Sequence, residues 1–123
     1  MITPGVFDMR MWQGATWHYE ILWEDGDPAA PVNLTGYEAR MMVRATALDD
    51  TIALELDNLV GGAGGITLGG AAGTIELDAT ATETALVAPG WYVYDLELED
   101  TTGEVTRLLE GKFAVIAEVT RSE

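Results

Sequence analysis

The residues able to do nucleophilic or metal chemistry are few in this sequence and lie far apart along it. His18 is the only histidine, Ser122 is the only serine, and cysteine is absent. A catalytic triad needs a nucleophile beside an oriented base, and a zinc site needs several His or Cys ligands. His18 also falls on the polar side of its predicted strand. We therefore expect no catalytic residues and no metal site, and we interpret His18 as a surface side chain.

Carboxylates are the one abundant reactive group, with 21 Asp and Glu against 6 Lys and Arg. A glycosidase needs two carboxylates that flank a substrate. Glu97 and Glu99, the most obvious pair, are two positions apart in one predicted strand and both point to its solvent-facing side. Calcium prefers several oxygen ligands, and a few acidic residues in loops could supply them. The acidic loop residues are Asp25, Asp27, Asp49 and Asp50, and they do not match the spacing of a calcium-binding loop. We therefore expect no cofactor.

The formal charge of −15 restricts the partners that the chain can have. Such a charge repels phosphate backbones and anionic lipid headgroups, so we expect no nucleic-acid partner and no membrane partner. No run of about 18 apolar residues occurs. Residues 1–5 lack the basic and then apolar pattern of a signal peptide. We expect residues 1–123 to form a single domain that folds without disulfides.

Most of the sequence alternates between apolar and polar residues, the pattern of half-buried strands. Residues 91–99 have it most clearly, with Tyr and Leu on one side and mainly acidic residues on the other. Residues 100–103 have turn chemistry, and we predict further strands at 104–109 and 112–120, separated by a second turn at Glu110 and Gly111. The three strands would form a meander. The last would turn four residues toward the core: Phe113, Val115, Ala117 and Val119.

The upstream sequence contributes six more predicted strands and one short helical turn. A capping box begins at Thr80, and proline and glycine follow soon after it, so we expect a single turn between Thr80 and Leu86. Eight or nine short strands predict an all-β fold, namely an antiparallel immunoglobulin-like β-sandwich. Such sandwiches often tie a Tyr hydroxyl to upstream backbone, and Tyr92 is the candidate here, with Tyr94 as the alternative. The six upstream strands are predicted at residues 7–12, 16–23, 37–45, 52–57, 66–68 and 74–78.

Several large side chains fall on the polar side of their predicted strands. Exposed large apolar groups on one sheet mark an interface, and Trp and Met are enriched in interface cores. An exposed Trp can also stack on a sugar ring, which leaves a carbohydrate-binding module or host-surface adhesin open. We favour a subunit interface, in which two arginines would pair with acids of a neighbour. The candidate interface residues are Trp12, Leu22, Arg40, Met42, Arg44 and Trp91.

Several segments also resemble a known group of proteins. They are residues 32–41 with Arg44, residues 65–68 followed by 73–77, residues 90–98, and residues 107–111 followed by 119–121. In these segments the chain resembles small structural proteins of tailed bacteriophages, in particular the N-terminal β-sandwich of phage baseplate upper proteins.

The resemblance implies a non-enzymatic virion protein, assembled in the host cytoplasm, whose partners are other virion proteins. It would form a homo-oligomer at the tail, the baseplate or the head–tail junction. A capsid decoration (cement) protein is the alternative within the particle.

Overall fold

The computed structural model describes residues 5–120, which contain eleven strands, one 3₁₀ turn (Gly70–Ala72) and one short helix, α1 (Ala81–Ala85). No helix in this range is long and apolar enough to cross a membrane. The strands are β1 (Gly5–Val6), β2 (Met9–Trp12), β3 (Trp17–Leu22), β4 (Glu24–Asp25), β5 (Ala30–Pro31), β6 (Glu38–Arg44), β7 (Leu54–Asp57), β8 (Ile66–Leu68), β9 (Thr74–Ala79), β10 (Gly90–Glu99) and β11 (Val105–Ile116).

Six strands form what we call the large sheet. Its strands β11, β10, β6 and β7 are consecutive neighbours, and β1 and β2 both pair with the other side of β11. The first four pair antiparallel, as expected, whereas β1 and β2 run parallel to β11. The large sheet is therefore mixed. Local alternation of residues predicts strands, but it does not determine the direction in which distant strands pair.

Three antiparallel strands, in the order β3, β9, β8, form the small sheet, and β4 and β5 form a separate two-stranded ribbon. Helix α1 lies in the connection from β9 in the small sheet to β10 in the large sheet. A three-stranded sheet opposite the β11–β10–β6–β7 set, with a helical turn at this connection, is the arrangement of an immunoglobulin-like sandwich. The predicted all-β sandwich is confirmed.

The core lies between the two sheets and consists mainly of strand side chains that the alternation predicts as inward, joined by Leu34 and Val87 from the connections between strands. The rings of Trp17 in β3 and Phe113 in β11 lie 5.6 Å apart between centroids, and the Trp17 indole N–H donates to the Arg10 carbonyl oxygen at 2.8 Å. Each fully buried large side chain contributes about 1.5–3 kcal/mol. The largest fully buried side chains are Met9, Met11, Ile21, Leu34, Met41, Leu56, Ile75, Leu77, Leu96, Leu98, Leu109 and Phe113.

The connection into β10 contains both local structures that the sequence predicts. The Glu83 amide donates to the Thr80 hydroxyl at 3.2 Å, and the Thr80 amide donates to the Glu83 carboxylate at 3.0 Å, which completes the capping box. After this single turn, the Tyr92 hydroxyl donates to the Ala88 carbonyl oxygen at 2.6 Å. Tyr92 therefore makes the predicted bond to upstream backbone. The Tyr94 hydroxyl donates instead to the carbonyl oxygen of Phe7 in the N-terminal segment.

The predicted turn at Glu110 and Gly111 is wrong. Strand β11 runs unbroken from Val105 to Ile116, so the C-terminal part is a hairpin with β10 rather than a three-stranded meander. A Cβ atom at Gly111 would lie 2.4 Å from the Phe7 carbonyl oxygen, so this glycine permits a close approach of the N-terminal segment. Two residues predicted to face the core lie beyond the end of β11 and are exposed: Ala117 and Val119.

Candidate interaction face

Five of the six predicted interface residues lie on one surface, the side of the large sheet that points away from the small sheet. We call this surface the outer face. Trp12 lies in β2, Trp91 in β10, and Arg40, Met42 and Arg44 at alternate positions of β6. Side chains of directly paired residues point to the same side of a sheet, and the registers of β2, β6 and β10 place all five together. The structure thus assembles the predicted set from three separate strands.

The two tryptophans are the most prominent apolar groups of this set. Trp91 is 73% exposed and Trp12 is 52% exposed, while Met42 is half-buried beside the Arg44 side chain. The sixth predicted residue, Leu22, ends β3 in the small sheet and pairs with Thr74. Leu22 therefore lies on the opposite surface of the sandwich, and a single flat interface cannot contain all six residues.

The outer face also carries every Lys and Arg residue that lies within residues 5–120. These side chains come from β2, β6 and β11, whereas the acidic residues occur in both sheets and in the loops. A chain with a net charge of −15 thus gathers its positive charge on one surface. Charge of one sign on a surface suits a partner surface of the other sign. The five cations are Arg10, Arg40, Arg44, Arg107 and Lys112.

Three of the cations share one end of the outer face with both tryptophans. Arg10, Lys112 and Arg44 lie in adjacent rows of paired residues, and the Arg44 guanidinium donates to the Asp49 carbonyl oxygen at 2.7 Å. No outward residue assigned to a strand in these rows, or in the Trp12 row next to them, is acidic. One acid lies beside them, because the Asp8 carboxylate accepts a hydrogen bond from the Lys112 amide at 2.9 Å. We call this region the basic end. Its outward residues are Arg10, Trp12, Arg44, Trp91, Val93, Lys112, Ala114 and Ile116.

The remaining rows of the outer face are rich in carboxylates, and we call them the acidic end. Arg107 lies among them, with its guanidinium nitrogens 3.6 Å from the Asp95 carboxylate, 4.0 Å from Glu97 and 3.9 Å from Glu110. Exposed ion pairs of this kind are worth no more than about 1 kcal/mol, so they leave the carboxylates open to another partner. Six acids outnumber Arg40 and Arg107 here: Glu38, Glu55, Asp95, Glu97, Glu99 and Glu110.

A shallow groove of about 630 Å³ lies where the two ends meet. Its apolar walls come from Val6, Met42 and Val93, and its charged walls come from both ends, with Arg44 on one side and Asp95 on the other. An apolar centre surrounded by charged groups is the usual composition of a protein–protein interface. The groove lies over strands β6, β10 and β11, which places it in the middle of the outer face.

No protein-family profile and no curated protein matches this sequence. Among solved structures, the fold is similar to the "N-terminal domain of phage TP901-1 ORF48". The two chains are 15% identical, the TM-score is 0.43, and the similarity covers 93% of this chain and 85% of the other.

The opposite surface, formed by the small sheet, carries a compact acidic cluster around His18. The His18 ring nitrogen Nδ1 lies 2.6 Å from the Asp78 carboxylate, and single ligand atoms of His18, Glu20 and Glu76 lie within 4.8 Å of one another. The hydrogen bond to Asp78 raises the pKa of His18, and the charges of Asp78, Glu76 and Glu20 add to the effect, while partial desolvation opposes it. His18 is exposed, as the sequence predicts.

The gathering of the cations is the feature of this site that sequence reasoning missed. The alternation within β6 predicts that Arg40 and Arg44 share a side, but Arg10 and Lys112 join them only because β2 pairs with β11 in parallel. One signal was available in the sequence. Arg10, Arg107 and Lys112 all occupy polar positions in strands next to the predicted core positions, so a shared sheet would have put them on one surface.

Proposed function

We propose that this chain is a non-enzymatic structural subunit of a tailed-bacteriophage particle, that its partners are other virion proteins and further copies of itself, and that it binds a neighbouring subunit through the outer face. The observation that carries the binding role is the meeting of two exposed tryptophans, Met42 and all five described cations on one sheet surface. The phage assignment is supported by the sequence segments that resemble phage structural proteins. The proposed location is the tail, the baseplate or the head–tail junction.

The composition of the outer face supports a protein partner. Trp, Met and Arg are the residue types enriched in protein–protein interfaces, and Lys is depleted there. The basic end holds Trp12 and Trp91 together with two of the four arginines of the outer face, and Met42 lies in the adjoining row, whereas the acids, a type depleted in interface cores, are concentrated at the acidic end. An open sheet surface with a shallow central groove suits a broad protein partner. Small-molecule sites, by contrast, are usually concave and bury most of their ligand.

The direct test of the proposal is the composition of the particle. We expect peptide mass spectrometry on gradient-purified phage from the producing host to find this chain at a copy number that matches a ring-shaped tail or neck component. Absence of the chain from purified particles would contradict the proposed role as a virion subunit. A copy number close to that of the major capsid protein would instead favour a capsid decoration (cement) protein.

A second experiment separates protein binding from glycan binding. The variant Trp91→Ala should weaken incorporation into particles by at least about tenfold, as expected for a tryptophan at an interface centre. The matched control Leu22→Ala, on the small sheet, should leave incorporation unchanged. Binding of the free chain to a glycan array, lost in both Trp91→Ala and Trp12→Ala, would instead identify a carbohydrate-binding module.

A further inference from the structure

We propose that the outer face pairs with the outer face of a second copy of this chain, about a two-fold axis that lies in the plane of the face and runs across the strands. The inference rests on the proposed function, since it names the partner of that same surface. It follows from the way in which charge is divided along the strands of the large sheet.

The two ends of the outer face are far enough apart to act as separate charged surfaces. A strand rises by about 3.4 Å per residue, so Trp91 at the basic end and Glu99 at the acidic end of β10 lie about 27 Å apart. At physiological ionic strength the Debye length is about 8 Å, so the outermost charges of one end are largely screened from the outermost charges of the other. The net charge of the whole chain therefore does not prevent association at this face.

The in-plane two-fold axis is the arrangement that satisfies both ends at once. It reverses the strand direction between the copies, so the basic end of each copy lies over the acidic end of the other. Each charged contact then occurs twice, because a two-fold interface is formed by the same surface on both copies. Stacking with the strands in the same direction would place like charges opposite each other, which disfavours that arrangement.

Docking of the outer face on the small sheet of another copy fits less well. The outward side of the small sheet presents Glu20, Glu76 and Asp78 beside His18. These acids could neutralise the basic end of a neighbour, but Glu97 and Glu99 at the acidic end would then have no cationic counterpart there. Within residues 5–120, the outer face is the surface that offers Lys and Arg as well as acids in complementary positions.

The centre of the outer face supplies the apolar contact that such a dimer needs. Val93 lies in the row nearest the proposed axis on the basic side, and Met42 lies in the adjoining row on the acidic side. Val6, which is 78% exposed, borders the same groove. The axis would thus pass close to these three apolar side chains, and in the same two rows Lys112 and Arg44 on one side face Asp95 and Glu110 on the other.

Reciprocal charge reversal tests this proposal on the full chain. We expect sedimentation velocity to detect a concentration-dependent dimer of the unmodified chain. A basic-end variant (Arg10→Glu with Lys112→Glu) and an acidic-end variant (Glu97→Lys with Glu99→Lys) should each dimerise at least about tenfold more weakly. An equimolar mixture of the two variants should form a heterodimer, because every reversed charge then meets a reversed charge. Far-ultraviolet circular dichroism checks that both variants are folded.

The control reverses the same number of charges on the other sheet. Glu20→Lys with Glu76→Lys should leave dimerisation unchanged. A monomeric unmodified chain at its highest soluble concentration, or a mixture of the reversed variants that stays monomeric, would overturn the proposal. If the free chain is monomeric but Trp12 and Trp91 become protected in phage particles, the two-fold dimer is wrong while the proposed function stands. Association that is lost in the basic-end variant and not restored in the mixture would mean that the basic end contacts a surface of the second copy other than the acidic end of its outer face, which would also overturn the two-fold arrangement.

Discussion

The rings of Trp17 and Phe113 lie 5.6 Å apart between centroids and join the two sheets of the sandwich. Phe113 is fully buried in β11. Its neighbours Lys112 and Ala114 therefore point the other way, onto the outer face, because successive side chains of a strand alternate. The ring contact thus fixes which residues of β11 are available to a partner.

The first prediction concerns this contact. Phe113→Ala should lower the free energy of unfolding by about 3–5 kcal/mol, because it removes a large buried ring and leaves a cavity between the sheets. Urea denaturation followed by tryptophan fluorescence measures the loss. The matched control Val105→Ala changes an exposed residue of the same strand and should have little effect. Equal losses in the two variants would contradict the central place of Phe113.

The second prediction concerns the hydroxyl of Tyr92. Tyr92→Phe removes only the hydrogen bond to the Ala88 carbonyl oxygen, so the free energy of unfolding should fall by about 1 kcal/mol. Tyr37→Phe is the control, because the Tyr37 ring packs against Trp23 while its hydroxyl makes no hydrogen bond within residues 5–120. Unchanged melting of the Tyr92 variant would mean that this bond does not stabilise the entry into β10.

The third prediction concerns Asp57, which is buried at the end of β7. Its carboxylate accepts hydrogen bonds from the amides of Leu59, Ala63 and Gly64, at 3.1 to 3.2 Å, and so organises the glycine-rich loop that follows. Asp57→Asn replaces one accepting oxygen with a donor and should cost about 2 kcal/mol of stability at neutral pH. Asp50→Asn, at an exposed position, should cost almost nothing.

The effect of Asp57 should depend on pH. Burial raises the pKa of Asp57, but the three amides and the charge of Arg40 outweigh it, so the pKa lies below the ordinary value of 3.8. A lowered folded-state pKa stabilises the protein above pH 3.8, and this contribution disappears as the pH falls through the folded-state pKa. The stability difference between the unmodified chain and Asp57→Asn should therefore shrink in acid. A difference that is constant from pH 7 to strong acid would contradict this role.

The sequence predicts the strands well because their alternation is local. The turn after β10 is one success: the Asp100 carboxylate accepts from the amides of Thr102 and Glu104, at 2.8 and 3.0 Å, as its turn chemistry suggests. The turn predicted at Gly111 is wrong. A glycine can mark a turn or a close approach of another strand, and only the position of the distant Phe7 backbone distinguishes the two.

The sequence predicts which individual residues of the candidate site are exposed, but it does not predict that they lie next to one another. Trp12, Met42 and Trp91 each fall on the polar side of a strand, which is visible in the sequence. Whether these three residues are neighbours in the fold depends on the order of the strands in the sheet. The parallel pairing of β2 with β11, for example, joins parts of the chain about a hundred residues apart. Leu22 follows the same sequence pattern, but β3 belongs to the other sheet. Strand pairing over such separations is not encoded in local periodicity.

The fourth prediction concerns His18 and Asp78 on the small sheet. The hydrogen bond to Asp78 raises the pKa of His18 above its ordinary value of 6.5. A raised histidine pKa stabilises the folded chain fully below pH 6.5, and this contribution is lost as the pH rises through the folded-state pKa. Asp78→Asn should move the His18 pKa back toward 6.5, as measured by NMR titration of the single imidazole. Asp25→Asn should leave the pKa of His18 unchanged. Equal pKa shifts in the two variants would show that Asp78 does not cause the raised pKa.

Side-chain footprinting of the assembled particle tests the central proposal most directly. Hydroxyl radicals oxidise exposed Trp and Met, so the free chain and the chain in purified phage particles can be compared residue by residue by mass spectrometry. We expect Trp12, Met42 and Trp91 on the outer face to be protected in the particle, while His18 and Leu22 on the outward side of the small sheet keep the reactivity of the free chain. Unchanged oxidation of Trp12 and Trp91 in the particle, with protection on the small sheet, would contradict binding through the outer face.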